Sequence, residues 1–206
     1  MNADVLGQHD FERVLAFWFG AQRSDRLIAE EKSALWWKKQ PEVDAQCRRL
    51  FEPTIEAAGA GRLDRWAHNA RGRLALILLA DQLPRNVYRD TARAFAFDDL
   101  ARRHCLEGLE RSDDLALRPI ERVFFYLPLE HAESLELQRR SLQLYSTLAR
   151  SAPADARALF DGFLKYARRH AEIIERFGRF PHRNALLGRL STPEETAFLG
   201  TPGSGF

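Results

Sequence analysis

Apolar residues recur along this chain at the spacing of an α-helix. Between residues 153 and 177, one helical face collects six of them: Ala156, Phe160, Phe163, Ala167, Ile174 and Phe177. Steps of three, four and seven residues keep side chains on one face, which must pack against another element. No segment alternates apolar and polar residues with a period of two, and no Asn-Gly or Asp-Gly turn joins β-branched runs. The pattern therefore predicts an all-α protein.

Prolines mark where several helices begin, because the first turn of a helix needs no proline N–H. The sequence predicts helices near 10–19, 24–38, 42–58, 71–83, 98–110, 119–127, 129–150, 153–177, 183–188 and 193–199. The connections are short, which favours antiparallel neighbours. No 34-residue repeat is found, and the C-terminal GTPGSGF is expected to be loose. We expect one domain over residues 1–206, built from stacked antiparallel helical hairpins or as an irregular bundle.

Composition and charge exclude several classes of protein. Of the 206 residues, 45% are hydrophobic and 29% are charged, as in a globular protein with a core. The 31 basic residues nearly balance the 29 acidic ones, so the net charge of +2 predicts neither a nucleic-acid nor a membrane partner. The N-terminus lacks the pattern of a targeting signal, and the longest apolar run, LALILLA, is too short to span a bilayer. Cys47 and Cys105 have no metal-site spacing. These features predict a cytoplasmic protein with two free thiols and no cofactor.

Three predicted core faces carry a polar residue, which costs free energy when it is buried without a partner. His170 is central in 153–177, Asp81 ends the row in 71–83 one turn before Arg85, and His131 begins the row in 129–150. Taken singly, each has a structural explanation: a core histidine bonded to a carbonyl, an Asp-Arg pair at i and i+4, and a histidine at a helix start. Taken together, they favour a shared polar site.

A group of polar residues follows Pro128 and is expected in the first turn of the helix 129–150: Glu130, His131, Glu133 and Ser134. The helix dipole also favours carboxylates there. No i, i+4 ligand pair and no HExxH motif occur, so no metal site is predicted. Ser134 lacks the GxSxG elbow of a nucleophile. One hypothesis remains, in which His131 is a general base oriented by Glu130 or Glu133.

The stretch ERFGRFPHRNALLGRLSTPEE, residues 175–195, predicts a bend between two helices. Gly178 is expected to end the long helix, and Arg176 and Arg179 are expected to pair with the glutamates four residues before them. Three polar residues then begin the next short helix, where free N–H groups favour an anion: His182, Arg183 and Asn184. A second Pro-Arg-Asn, at 84–86, follows another core helix in the same way.

Four stretches resemble the bacterial domain-of-unknown-function family 924: WFG at 18–20, LADQLPRNVYR at 79–89, ERVFFYLPLEHAES at 121–134, and the stretch 175–195. The resemblance implies an all-helical, tetratricopeptide-like fold, in which stacked hairpins form a right-handed superhelix. It implies no activity. The family reads close to MPLEHSED where this chain has LPLEHAES. Ser134 therefore stands where an acid is usual, which argues against a serine nucleophile.

The two Arg-Asn helix breaks and the polar core residues are expected to form a pocket for a small anionic molecule or a peptide end, with Arg85 and Arg183 as bidentate donors. The alternative, that both arginines bind exposed carbonyls at helix ends, stays open. The predicted ligand-binding residues are Asp81, Arg85, Asn86, Glu130, His131, His170, His182, Arg183, Asn184 and Trp37. Two further hypotheses are a hydrolase or lyase with His131 as its base, and a scaffold that presents a tetratricopeptide-like groove to a partner.

Overall fold

The computed structural model describes residues 10–204. Within that range, turns and short 3₁₀ segments connect α-helices, and no β-strand is present, so the protein is all-α as predicted. The helices are α1 (Phe11–Phe19), α2 (Asp25–Trp37), α3 (Pro41–Gly59), α4 (Ala70–Ala80), α5 (Gln82–Val87), α6 (Asp98–Glu110), α7 (Pro119–Glu130), α8 (Leu135–Ser151), α9 (Arg157–Phe177) and α10 (Pro193–Leu199). Two expectations concern residues outside this range. The expected absence of a targeting signal involves residues 1–9, and the expected loose tail includes residues 205–206.

Helix α4 forms the centre of the core. Every residue from Gly72 to Ala80 is buried, and the helix packs against α1, α3, α6 and α7. Because neighbours surround it, α4 is apolar on almost every side. Gly72 permits one close approach, since a Cβ there would lie 2.1 Å from the carbonyl oxygen of Trp66. Among the helices of residues 10–204, including α4, none is both long and apolar enough to cross a membrane.

An aromatic cluster joins α1, α2 and α7. Phe124 is at its centre and meets Trp18, Phe19 and Trp36 edge to face, with ring centroids 4.6 to 5.6 Å apart. Trp37 stacks on the same ring at 5.7 Å. Such pairs contribute about 0.5–1.5 kcal/mol each beyond the area they bury. The cluster fixes the position of α7, whose C-terminus carries several of the predicted site residues.

Helices α8 and α9 pack along each other as a hairpin, and both contact α7. Gly178 ends α9 in the left-handed conformation, with φ of 70°, as predicted. A small apolar cluster follows at this end, formed by Ile173, Ile174 and Phe180. It is separate from the main core, and it places the 175–195 bend against the end of α7 and the start of α8.

Two predicted helices have different boundaries. Pro128 does not begin a helix, because it lies inside α7; the predicted helix 129–150 instead begins at Leu135. Ser134 is the N-cap of α8, and its side chain accepts a hydrogen bond from the backbone of Leu137. The predicted helix 71–83 is interrupted at Asp81, which separates α4 from α5.

Two further predictions are wrong, one at the start of α9 and one in the bend that follows its end. The long helix begins at Arg157, after a 3₁₀ turn, rather than at Pro153. The predicted helix 183–188 is absent: a 3₁₀ turn spans Pro181–Arg183 and further turns follow it. Arg183 is therefore held by a turn and not by the N-terminus of a helix, so the expected helix-dipole contribution to an anion site is missing.

Candidate functional site

Asp81 is completely buried between α4 and α5. Its Oδ1 lies 2.8 Å from Nδ1 of His131 and 3.3 Å from Nη2 of Arg85, and the side chain of Gln82 donates to its Oδ2. Burial alone would raise the pKa of this carboxyl, but the charges of Arg85 and His131 and the hydrogen bonds outweigh burial and lower it. Asp81 is therefore an ionised carboxylate in the interior, surrounded by donors.

His131 is the residue that ends α7, and its imidazole is 14% exposed. Burial, with Arg85 nearby, lowers the pKa of this imidazole although Asp81 acts in the opposite direction. Because Asp81 is ionised, Nδ1 of the neutral ring carries the proton and donates it in the hydrogen bond. Nε2 then keeps its lone pair and is an acceptor or a base.

A second carboxylate and histidine pair lies beside the first. Nδ1 of His170, on α9, is 3.0 Å from Oε1 of Glu130 and 2.9 Å from the carbonyl oxygen of Tyr166. The rings of His170 and His131 are 5.9 Å apart between centroids. Tyr145 is buried next to Glu130, and burial together with that carboxylate raises the pKa of the phenol well above its ordinary value. The ends of α4 and α7 and the middle of α9 thus share one polar centre.

The two Arg-Asn helix breaks meet at the first residue of α6, Asp98. Arg85 donates to both carboxylate oxygens of Asp98, at 3.0 and 3.2 Å. Nη1 of Arg183 lies 3.5 Å from Oδ2 of the same carboxylate. The side chains of Arg85 and Asp98 are 20% and 18% exposed, so solvent reaches this side of the centre. Two segments about a hundred residues apart in sequence therefore place their arginines together.

Arg183 is buried, and its guanidinium is only partly satisfied. Its Nε is buried and has no hydrogen-bond partner among the described residues, and the long contact with Asp98 is its one ion pair there. The guanidinium carbon lies 4.5 Å from the ring centroid of Phe180 and 4.9 Å from that of Phe95. Burial, reinforced by the charge of Arg85, lowers the pKa of Arg183 to about 10. The cation is therefore held in a place that disfavours its charge.

We call this group the polar cluster; its members are Asp81, Arg85, Asp98, Glu130, His131, His170 and Arg183. His182 lies at its edge, with its ring 5.6 Å from that of Phe180. Burial, with Arg183 and His170 nearby, lowers the pKa of His182 to about 4. Over residues 10–204, no three histidine, cysteine, aspartate or glutamate side chains are arranged to hold a metal ion.

Comparison with known proteins places the chain in a family. The sequence profile of a bacterial protein of unknown function, DUF924, matches residues 14–203. The chain belongs to the DUF924 family. A solved structure titled as the protein of unknown function ATU0120 from Agrobacterium tumefaciens is 37% identical, with a TM-score of 0.77 over 92% of this chain and 96% of that one. Comparison with curated proteins gives no match. The similarity to the solved structure agrees with the all-α fold, and neither comparison assigns an activity.

Besides His182 at its edge, four residues predicted for the site of this DUF924 protein lie outside the polar cluster, and the structure shows what each contacts. The amide of Asn86 donates to Asp44, and that of Asn184 donates to Ser191 and Glu195. Glu133 accepts from the backbone of Phe180 and from Arg189. The fourth, Trp37, stacks in the aromatic cluster. The polar atoms of the first three residues and the ring of Trp37 therefore take part in contacts that stabilise the fold.

One member of the polar cluster, Asp98, is missing from the sequence prediction. It begins the predicted helix 98–110, where the helix dipole is a sufficient explanation for an acid. The nearby Phe95 packs against both arginines of the cluster, with its ring centroid 5.5 Å from Arg85 and 4.9 Å from Arg183. An aromatic residue followed within one turn by an acid is a weak signal, and only the tertiary structure shows that Asp98 joins the two arginines.

Proposed function

We propose that this protein binds a small molecule or a peptide end through an oxyanion held by Arg183. The observation that carries the proposal is the buried Arg183 guanidinium, whose Nε–H has no acceptor within residues 10–204 and whose contact with Asp98 is 3.5 Å long. A guanidinium has five N–H donors, and a buried donor left unbonded costs about 1–3 kcal/mol. A carboxylate or phosphate supplies paired acceptors that match this donor geometry.

Two nearby arginines, Arg179 and Arg189, are paired with carboxylates and can be compared with Arg183. Arg179 donates to both oxygens of Glu195 at 2.7 and 2.8 Å. Arg189 donates to both oxygens of Glu133 at 2.6 and 2.9 Å, and also to Asn184. Among the described residues, no carboxylate pairs with Arg183 in this way, although Arg183 is more deeply buried. Binding sites commonly keep such an unfavourable group because the ligand, and not the fold, satisfies it.

The charges of the polar cluster narrow the class of ligand. Its members include three carboxylates, on Asp81, Asp98 and Glu130, and two guanidinium groups, on Arg85 and Arg183. A bare anion at Arg183 would approach the carboxylate of Asp98, which lies 3.5 Å from the guanidinium. A ligand that also carries an ammonium group or other strong donors would pair with the carboxylates as well. Amino acids and peptide ends fit this requirement better than inorganic phosphate does.

Replacing Arg183 with methionine distinguishes a ligand-binding arginine from one that only stabilises the fold. Methionine keeps an unbranched apolar stem next to Phe95 and Phe180 and removes a buried charge whose one ion pair within residues 10–204 is long, so we expect the melting temperature to stay the same or to rise. The wild type should be stabilised by a hit from a panel of amino acids, di- and tripeptides, carboxylates and phosphate, by about 2.7 kcal/mol at one hundred times the dissociation constant. The variant should lose that stabilisation.

Arg179→Met is the matched control, because Arg179 lies in the same corner and is fully paired with Glu195. It should lower the melting temperature and keep the response to the ligand. Thermal unfolding of both variants, with and without each panel member, makes the comparison. If Arg183→Met loses as much stability as the control and no panel member stabilises the wild type, then Arg183 is a structural tie and the proposal is wrong.

A second candidate function is general-base catalysis, and the 2.8 Å contact between Asp81 and Nδ1 of His131 favours it. Asp81 has the orienting role that the sequence prediction gave to Glu130 or Glu133. A neutral imidazole with Nε2 available can accept a proton from water, as a hydrolase requires. If a hydrolytic activity is found among peptides and esters that bind, His131→Gln should abolish the turnover and keep the thermal response to the ligand.

A further inference from the structure

A cleft of about 450 Å³ lies between α8 and α9, and none of its lining residues belongs to the polar cluster. Leu142 and the exposed edge of the buried Leu164 contribute apolar surface, and Ser146 and Thr147 supply hydroxyl groups. Arg150 and Arg168 also line it. A volume of this size falls within the range of about 300–1,000 Å³ that small-molecule sites occupy.

Neither arginine of this cleft has a carboxylate partner within the part of the chain that the structure describes. The guanidinium of Arg150 donates to the hydroxyl groups of Ser146 at 2.8 Å and Thr147 at 3.1 Å, which orient it and leave its charge uncompensated. Arg168 makes no ion pair or hydrogen bond within residues 10–204. The described residues that line the cleft include no acid. Two cationic groups therefore face an opening that is partly apolar.

We propose that this cleft binds an amphiphilic anion, with an anionic head group at Arg150 and Arg168 and an aliphatic chain against Leu142 and Leu164. Charge complementarity selects the head group, because a carboxylate, sulfate or phosphate accepts hydrogen bonds from both guanidinium groups. The leucines select the chain, since burying each methylene group contributes about 0.8 kcal/mol. The proposal is independent of ligand binding at Arg183.

Calorimetric titration with dodecanoate, kept below its micelle concentration, tests the proposal. We expect saturable binding with one site in the wild type and in Arg183→Met, which excludes the polar cluster as the place of binding. The double variant Arg150→Gln and Arg168→Gln should bind at least about tenfold more weakly. Both residues are exposed, so the substitutions should not affect folding. Arg139→Gln, an exposed arginine of α8 outside the cleft, is the matched control and should bind as the wild type does.

Two further probes test whether the charged head group is needed and whether the ligand is a free molecule or part of a membrane. Dodecanol, with the same chain and no charge, should bind more weakly than dodecanoate. Vesicles of phosphatidylglycerol should not retain the protein, because we infer a free amphiphile and not a membrane surface. The proposal is overturned if dodecanoate shows no saturable binding up to about 1 mM, or if the double variant binds dodecanoate as tightly as the wild type does. It is also overturned if the wild type binds dodecanol as tightly as dodecanoate. Retention of the wild type on the vesicles, abolished in the double variant, would overturn it as well.

Discussion

Asp81→Ala is expected to lower the free energy of unfolding by about 3–5 kcal/mol, the range for removing one partner of a buried ion pair. The carboxylate is completely buried and accepts from both His131 and Gln82, and Arg85 lies 3.3 Å away. Its loss leaves the charge of Arg85 with a single carboxylate partner, Asp98, and leaves two interior donors without an acceptor. Equilibrium unfolding in urea measures the change.

Two other variants define the origin of this effect. Glu30→Ala removes an exposed carboxylate that pairs with Arg26 one turn away, and should change stability by no more than about 0.5 kcal/mol. Asp81→Asn keeps the volume and one acceptor and should have an intermediate effect. A loss in Asp81→Ala as small as that of Glu30→Ala would mean that Asp98 and solvent satisfy Arg85 without Asp81.

The stability of the protein should fall by about 3 kcal/mol between pH 6.5 and pH 4 because of His182 alone. Burial, with Arg183 and His170 nearby, lowers the pKa of this imidazole to about 4 in the folded protein, from an ordinary 6.5. As the pH falls below 6.5, the unfolded chain binds a proton that the folded protein does not bind. The contribution is therefore complete above pH 6.5, declines through this window, and is lost below pH 4.

His182→Gln tests this assignment because glutamine does not titrate. The variant should show a shallower slope of unfolding free energy against pH between 4 and 6.5, measured by urea unfolding at several pH values. His131 and His104, whose pKa values burial also lowers, act in the same direction and should maintain the remaining slope. His68→Gln removes an exposed imidazole and is the control. An unchanged slope in His182→Gln would show that His182 does not account for the acid sensitivity.

The sequence allows the fold to be predicted because each of the long helices has an apolar face of its own. The period of α9, the glycine that ends it, and the buried position of His170 all follow from local spacing and are confirmed. The pair formed by Asp81 and Arg85 is confirmed for the same reason, since residues four apart come together on one side of a turn.

Predictions from local spacing are wrong where tertiary contacts outweigh local interactions. Arg176 and Arg179 do not pair with the glutamates four residues earlier; they pair with Glu194 and Glu195, on α10. Surface pairs at i and i+4 contribute only a few tenths of a kcal/mol, so a better-oriented carboxylate from another helix displaces them. The prediction at Pro128 is wrong for a related reason: the packing of α7 in the core maintains the helix through a residue that locally favours a helix start.

If Arg183 binds an oxyanion as proposed, Asp98 makes that binding an exchange. Its carboxylate is already bonded to Arg85 and reaches Arg183, and the chain tethers it there at a high effective concentration. An incoming oxyanion therefore competes with a resident one, and the affinity measured in solution is the difference between the two. Simple anions, however abundant, leave Asp98 in place. Under that proposal, the cluster would admit only a ligand whose additional contacts bind it more strongly than Arg183 binds Asp98.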